Sequence, residues 1–267
     1  MKSKLFGLLA LAAIVMLASA ITATAQDFRK TYHPGASGTV RIQNVSGDVK
    51  ITGYNGEGIQ VTAYKEGRDK DMVEVEDLSG GNLVDLRARY EQCRNCSINA
   101  SIRFEIQVPR SSNYNFDKIQ TASGNVSVEN ATGRFRVSTA SGDILIQQAS
   151  GTINASTASG EIHVKDSAGA VRASTASGNV EVEMARVEGS ENLEFSTASG
   201  DLNIKMPADL DALVEMSTAS GSISTDFPLE VKRDEYSSSS RARGRLGAGS
   251  RLLHLSSASG DVNLKRF

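Results

Sequence analysis

With 8 Phe, 6 Tyr and no Trp among 267 residues, the chain must draw its core from Val, Ile, Leu and Ala side chains. Its 29 Lys and Arg nearly cancel its 31 Asp and Glu, leaving a net charge of −2 and no electrostatic basis for binding nucleic acid.

Residues 1–25 carry Lys2 and Lys4, an apolar run from Leu5 to Leu17, and the small residues Ala23-Thr24-Ala25. That order matches a cleavable secretory signal. The alternative, an uncleaved anchor, would need about 20 apolar residues to span a bilayer, and this run is shorter. No cysteine follows the run, which argues against a bacterial lipid anchor. Cleavage would leave 27 basic residues (29 less the two lysines) against 31 acidic, a net of −4. No second span follows, so no transmembrane segment is expected after cleavage. The remaining chain of about 240 residues suits one large β domain or two small ones.

Residues 26–116 read as an N-terminal β section and cap. Val40 to Ile51 alternates apolar and polar residues around Ser46-Gly47-Asp48. Residues 59–64, 72–76, 83–90 and 102–108 follow as longer strands. Between the last two lie Cys93 and Cys96, the only cysteines, at an expected hairpin tip. In an exported chain the pair fits a local disulfide or two idle thiols. A low-pKa redox pair would sit at a helix N-terminus, and no helix follows. Zinc would require two more ligands, and none lies near in sequence.

Residues 117–267 repeat one pattern. An apolar-x-apolar triplet leads into Ser-Thr-Ala-Ser-Gly, then a polar residue and a second triplet, as in Phe135-Arg136-Val137, Ser138 to Gly142, Asp143 and Ile144-Leu145-Ile146. From Gly124 to Gly178 a glycine returns every nine residues and the full motif every eighteen. Such self-similarity is the mark of a solenoid. Each triplet is a short strand with alternating inward and outward side chains. Gly124, Gly142, Gly160, Gly178, Gly200, Gly221 and Gly260 supply the backbone freedom of the corners. Ala131, Ala140, Ala149, Ala158 and Ala176, two positions before a glycine, are expected to point inward there. Two strands and two corners close a coil of about 18–22 residues, so the expected fold is an all-β, single-stranded parallel β-solenoid, its coils stacked about 4.8 Å apart. Later spacings of 22, 21 and 39 residues imply loops inserted at one corner. The longest, residues 232–251, holds Ser237 to Ser240, four arginines (Arg241, Arg243, Arg245, Arg251) and three glycines, and reads as a mobile loop.

Ser46-Gly47-Asp48-Val49, Phe104 to Pro109, the repeats themselves and Gly244-Arg245-Leu246-Gly247 together resemble a bacterial adhesin family of unknown function, related to GIN-type adhesin head domains. The likeness spans essentially the whole chain after residue 25. It implies an exported, envelope-associated protein without catalytic residues.

Asp48, Asn125, Asp143, Asn179, Asp201 and Asp261 follow corner glycines. They suggest Asx capping of turns more than a calcium ladder, since the dense Gly/Asp nonapeptide of calcium-binding β-rolls is missing. The corner hydroxyls are expected to serve neighbouring backbone groups rather than sugars or ice. His33, His163 and His254 are isolated in sequence, and no nucleophile elbow, HExxH or phosphate loop occurs. No catalytic, metal or cofactor site is therefore assigned, and no cofactor is implied. The expected function is that of an exported, non-enzymatic interaction or structural module in the periplasm or on the cell surface. Its partner would be an envelope protein or glycan, with self-association left open. The alternative is a carbohydrate-active β-helix enzyme using carboxylates paired across coils, such as Glu181 with Glu194.

Overall fold

The computed structural model describes residues 27–91, 97–184, 186–233 and 238–267. Before the regular repeats come β1 (Phe28–Tyr32), β2 (Thr39–Gln43), β3 (Val49–Tyr54), β4 (Ile59–Glu66), β5 (Val73–Asp77), β6 (Leu83–Tyr90) and β7 (Ser101–Pro109). The repeats give β8 (Tyr114–Ser123), β9 (Val126–Glu129), β10 (Thr132–Ser141), β11 (Ile144–Gln147), β12 (Ser150–Ser159) and β13 (Ile162–Lys165). They continue as β14 (Ala168–Ser177), β15 (Val180–Glu183), β16 (Leu193–Ser199) and β17 (Leu202–Met206). Last come β18 (Ala212–Ser220), β19 (Ile223–Thr225), β20 (Glu230–Arg233), β21 (Ser240–Leu246), β22 (Leu252–Ser259) and β23 (Val262–Arg266).

Among the described residues these strands form two sheets. The first runs β1-β4-β7-β3-β9-β11-β13-β15-β17-β23-β19, and the second β20-β21-β18-β22-β16-β14-β12-β10-β8-β2-β6-β5. Each regular coil puts one long strand in the second sheet and one short strand in the first. Alternation decides which side chains enter the space between: Phe135, Val137 and Thr139 of β10 face in, as do Ile144 and Ile146 of β11. Eighteen-residue register then stacks like on like, as with Ile144↔Ile162 and Ile162↔Val180. Bulk is traded along a column. Ala155 and Ala173 stand in register with Phe195, while Phe116 and Phe135 stack face to face with centroids 4.6 Å apart.

Three expectations change. The fold is all-β and solenoid-like, but its sheets are mixed: β1, β4 and β7 pair antiparallel at one end, as do β5 with β6, and β18, β21 and β20 at the other. These antiparallel strands cover sheet ends that would otherwise expose unpaired backbone. Within the stretch read as a mobile loop, residues 240–246 form β21, whose alternation buries Ser240, Ala242 and Leu246 and turns Arg241, Arg243 and Arg245 outward. Finally, the coils do not stack in chain order. β22 and β23 lie between β16 and β18 and between β17 and β19, so the long Gly221-to-Gly260 spacing marks a coil skipped and later filled. The other end mirrors this. β2 and β3 sit between the coil of β6 and β7 and the coil of β8 and β9.

Candidate interaction surface

Register turns each repeated residue into a column along the solenoid, so the corners can be taken column by column. At the Ser-Thr-Ala-Ser-Gly corner the inward side chain is the threonine. Thr139, Thr157, Thr175 and Thr197 are buried, and each donates its hydroxyl to the carbonyl of a corner glycine of the preceding coil, at 3.0–3.1 Å. Ala140, Ala158 and Ala176 are exposed, contrary to expectation, because strand alternation carries on through the threonine and leaves alanine on the outer side. Ala131 and Ala149, at the opposite corner, are buried. There Asn130, Gln148 and Asp166 take left-handed φ values of 56°, 51° and 49°.

The corner glycines touch one another. A Cβ on Gly160 would lie 2.1 Å from the Gly142 carbonyl oxygen, and Gly124, Gly142, Gly178, Gly200, Gly221 and Gly260 meet the same obstacle from a glycine in the next coil, at 2.0–2.3 Å. Their φ values of 139–155° add a second reason for glycine. Beside them the Asx side chains reach between coils rather than around their own turn. Asn125 Oδ1 accepts from the Asp143 amide and Asp143 Oδ1 from the Glu161 amide, both at 2.8 Å; Asp201 and Asp261 continue the row. These groups are occupied with backbone, and among the described residues no cluster of three or more His, Cys, Asp or Glu is arranged to hold a metal ion. Cys93 and Cys96 lie outside the described residues.

The two outward faces differ. On the first sheet each lysine of the central columns meets a carboxylate: Lys50 with Glu129 at 3.1 Å, Lys165 with Glu181 at 3.9 Å, Lys205 with Glu183 at 2.5 Å and Lys265 with Asp226 at 3.6 Å. His163 belongs to this network, its Nδ1 lying 2.8 Å from Glu181 and its Nε2 3.1 Å from Glu161. Glu181 and Glu194, the carboxylates expected to pair across coils, stand on different sheets, in β15 and β16. They cannot flank one bond.

On the second sheet, register aligns Arg41, Lys118, Arg136, Asn154, Arg172 and Glu194 in one outward row, with Arg134 beside it. Asp117 meets both Arg41, at 2.7 Å, and Arg136, at 3.7 Å. Lys118, Arg134 and Arg172 have no ion-pair partner among the described residues. Next to this row stand Ser138, Ser156, Ser174, Ser196, Ser256 and Ser217, in register. Two shallow hollows open on this face. One, of about 230 Å³, runs from Arg136 past Arg172 to Glu194, over Asn154, Ser156, Ser174 and Ser196. The other, of about 580 Å³, runs along Ser196, Ser256 and Ser217 toward Arg241.

A family model described as Toastrack DUF4097 matches residues 30–265. The chain belongs to this family. The match takes in both the irregular first strands and the repeats, as expected for two continuous sheets. Among solved structures the Toastrack chain is similar to a "putative cell adhesion protein" from Clostridium sporogenes, with 12% identity over 90% of this chain and 98% of that one and a TM-score of 0.34. It is also similar to a "putative adhesin" from Bacteroides fragilis, with 16% identity over 90% and 96% of the two chains and a TM-score of 0.45. A search of curated proteins found no match. The basic row of this Toastrack chain went unnoticed in the sequence, although Lys118, Arg136, Asn154 and Arg172 are spaced by eighteen and the period alone would have aligned them.

Proposed function

We propose that the protein is an exported, non-enzymatic β-solenoid that acts as an adhesin-like or structural interaction module at the bacterial cell envelope. Residues 1–25 support export. One observation supports the interaction role above others: the corner residues that define the repeat are spent on holding coils together, while both broad faces present ordered columns of polar side chains, with open, shallow hollows on the second sheet. Such a surface suits an extended partner better than a small substrate, which usually occupies a concave and mostly apolar pocket. An envelope glycan or protein fits that description, and the kinship with GIN-type adhesin heads belongs to the same reading. Among the described residues no helix is long and apolar enough to cross a membrane.

The test is photocrosslinking in intact cells from Ser127 on the first sheet and Ser174 on the second. The expected result is an N-terminally processed protein that captures an envelope component from at least one face. Recovery of an unprocessed chain in the cytoplasm would overturn the reading. So would turnover of wall or matrix glycans that collapses when Glu181 or Glu194 is neutralised.

A further inference from the structure

The geometry points to the outward face of the second sheet, from Arg41 to Arg172, as a docking surface for a linear acidic polysaccharide, with the arginine-lined end of the hollow at Arg136 and Arg172 seating one carboxylate-bearing sugar. The inference rests on the envelope-interaction reading and names its partner class.

The argument starts from imbalance of charge. The whole chain carries −2, and on the first sheet the central lysines are neutralised by carboxylates on the same face. From β2 to β14 on the second sheet, Arg41, Lys118, Arg134, Arg136 and Arg172 are set against Asp117 within the row and Glu194 at one end, while Asp85, in register with Arg41 at the other end, is buried and paired with Arg87. Asp117 is shared by two of the five cations, and Glu194 stands in register with Arg172 but makes no ion pair among the described residues. A β-bulge at Phe135/Val137 sharpens this, because it turns the consecutive residues Asp117 and Lys118 to the same outward side. Uncompensated guanidinium groups on an acidic protein attract anions at a distance and lose that attraction as salt screens them.

Spacing then selects the shape of the anion. Parallel strands place successive residues of the row about 4.8 Å apart, so Arg136 and Arg172 stand about 9.6 Å apart with only the shorter Asn154 between them. The hollow of about 230 Å³ opens over these three residues and continues past Arg172 to Glu194 and Ser196, so the sugar carboxylate would lie at its Arg136–Arg172 end, away from Glu194. Its floor, Ser156 and Ser174, and the Asn154 amide offer donors and acceptors suited to sugar hydroxyls. Single-stranded nucleic acid would want aromatic side chains on which bases stack, and the row contains none. A polymer lying along the solenoid axis would meet cations and hydroxyl or amide groups at each step.

The test uses the processed full-length protein with oligogalacturonate as probe and its carboxyl-reduced, neutral counterpart as control. Saturable binding to the acidic oligomer is expected at low salt, weakening as salt rises, with the neutral oligomer bound at least about tenfold less well. Arg136→Gln with Arg172→Gln should weaken binding about tenfold or more, whereas Arg136→Lys with Arg172→Lys retains most of it. Lys165→Gln with Lys205→Gln on the opposite face should leave it within about twofold. Unchanged melting of the glutamine variants separates lost binding from lost folding. Equal binding of the neutral oligomer, equal loss in the opposite-face variant, or tighter binding of single-stranded DNA of matched charge would overturn the assignment. Envelope capture from Ser127 but not from Ser174 would also overturn it while leaving the broader function standing.

Discussion

Replacing Thr157 by Val keeps the shape of a buried corner side chain and deletes one hydrogen bond. Thr157 is 6% exposed, and its hydroxyl donates to the Gly142 carbonyl at 3.1 Å. Losing such a bond costs about 0.5–1.5 kcal/mol net, and more where the carbonyl left behind lacks another partner. A destabilisation of about 1–2 kcal/mol follows, or a Tm lower by about 2–8 °C for a domain of this size. Thr157→Ser retains the hydroxyl and removes one methyl, costing about 0.8 kcal/mol. The exposed neighbour provides the control, since Ala158→Leu should change stability by no more than about 0.5 kcal/mol. Thermal melts followed by circular dichroism, with urea midpoints as a second measure, would rank the three. If Thr157→Val melts with or above the wild type, or if Ala158→Leu is the damaging change, the threonine is not the group that ties coil to coil.

Gly160→Ala would press its Cβ to 2.1 Å from the Gly142 oxygen at φ 149°, so it is expected to lower the melting point further than Thr157→Val; an equal or smaller shift in the same melt would contradict the stacking of glycines. Truncation after Ser250 removes β22 and β23 and opens a gap one coil wide beside Leu193, Phe195, Leu202 and Ile204. The expected result is loss of hydrogen-exchange protection in β16 to β19, restored by a peptide of residues 251–267. Full protection in the truncated chain would show that the C-terminal coil is dispensable. At the other end, burial would raise the Asp77 carboxyl, but hydrogen bonds from Lys30, Ser79 and Tyr32 outweigh it and hold the pKa at about 2. Burial and then Asp77 push the Tyr32 phenol upward. Because the folded value lies below the ordinary 3.8, this stabilisation is complete above pH 3.8 and fades as pH falls toward 2. The stability gap between wild type and Asp77→Asn should therefore be present at pH 5 and shrink through that window; a gap that does not change with pH would rule out the linkage.

Much of the repeat could be read from local rules. Alternation placed Ile144, Ile162 and Val180 inside, and recurrence of glycine marked the turns, because strand period and backbone strain are properties of a few consecutive residues. The alanines of the Ser-Thr-Ala-Ser-Gly corner misled for the same reason. Small size suggested an inward place, yet the strand ran past its apolar triplet at Ala155 as far as Ser159 and carried Thr157 inside with its hydroxyl satisfied. In β21, glycines and arginines hid a strand whose inward residues are as small as Ser240 and Ala242.

The basic row stands between these cases. Its members sit at outward positions of an eighteen-residue period, so their alignment is written in the spacing, but their freedom from partners depends on which carboxylates lie nearby. Asp117 reaches Arg41 and Arg136 while Lys118, its neighbour in the bulge, lies on the same face.

By itself the sequence determined the coil: its strands, its glycine corners, its apolar columns and the absence of familiar catalytic motifs. Only the tertiary structure decided the order of the coils. Leu202, Val262 and Ile223 are interchangeable members of one column, and stacking of like on like is indifferent to which segment of chain supplies the next rung. The antiparallel cover of β18 by β21, and the return of β22 and β23 into the gap, are fixed by contacts between residues far apart in sequence, which no local pattern encodes.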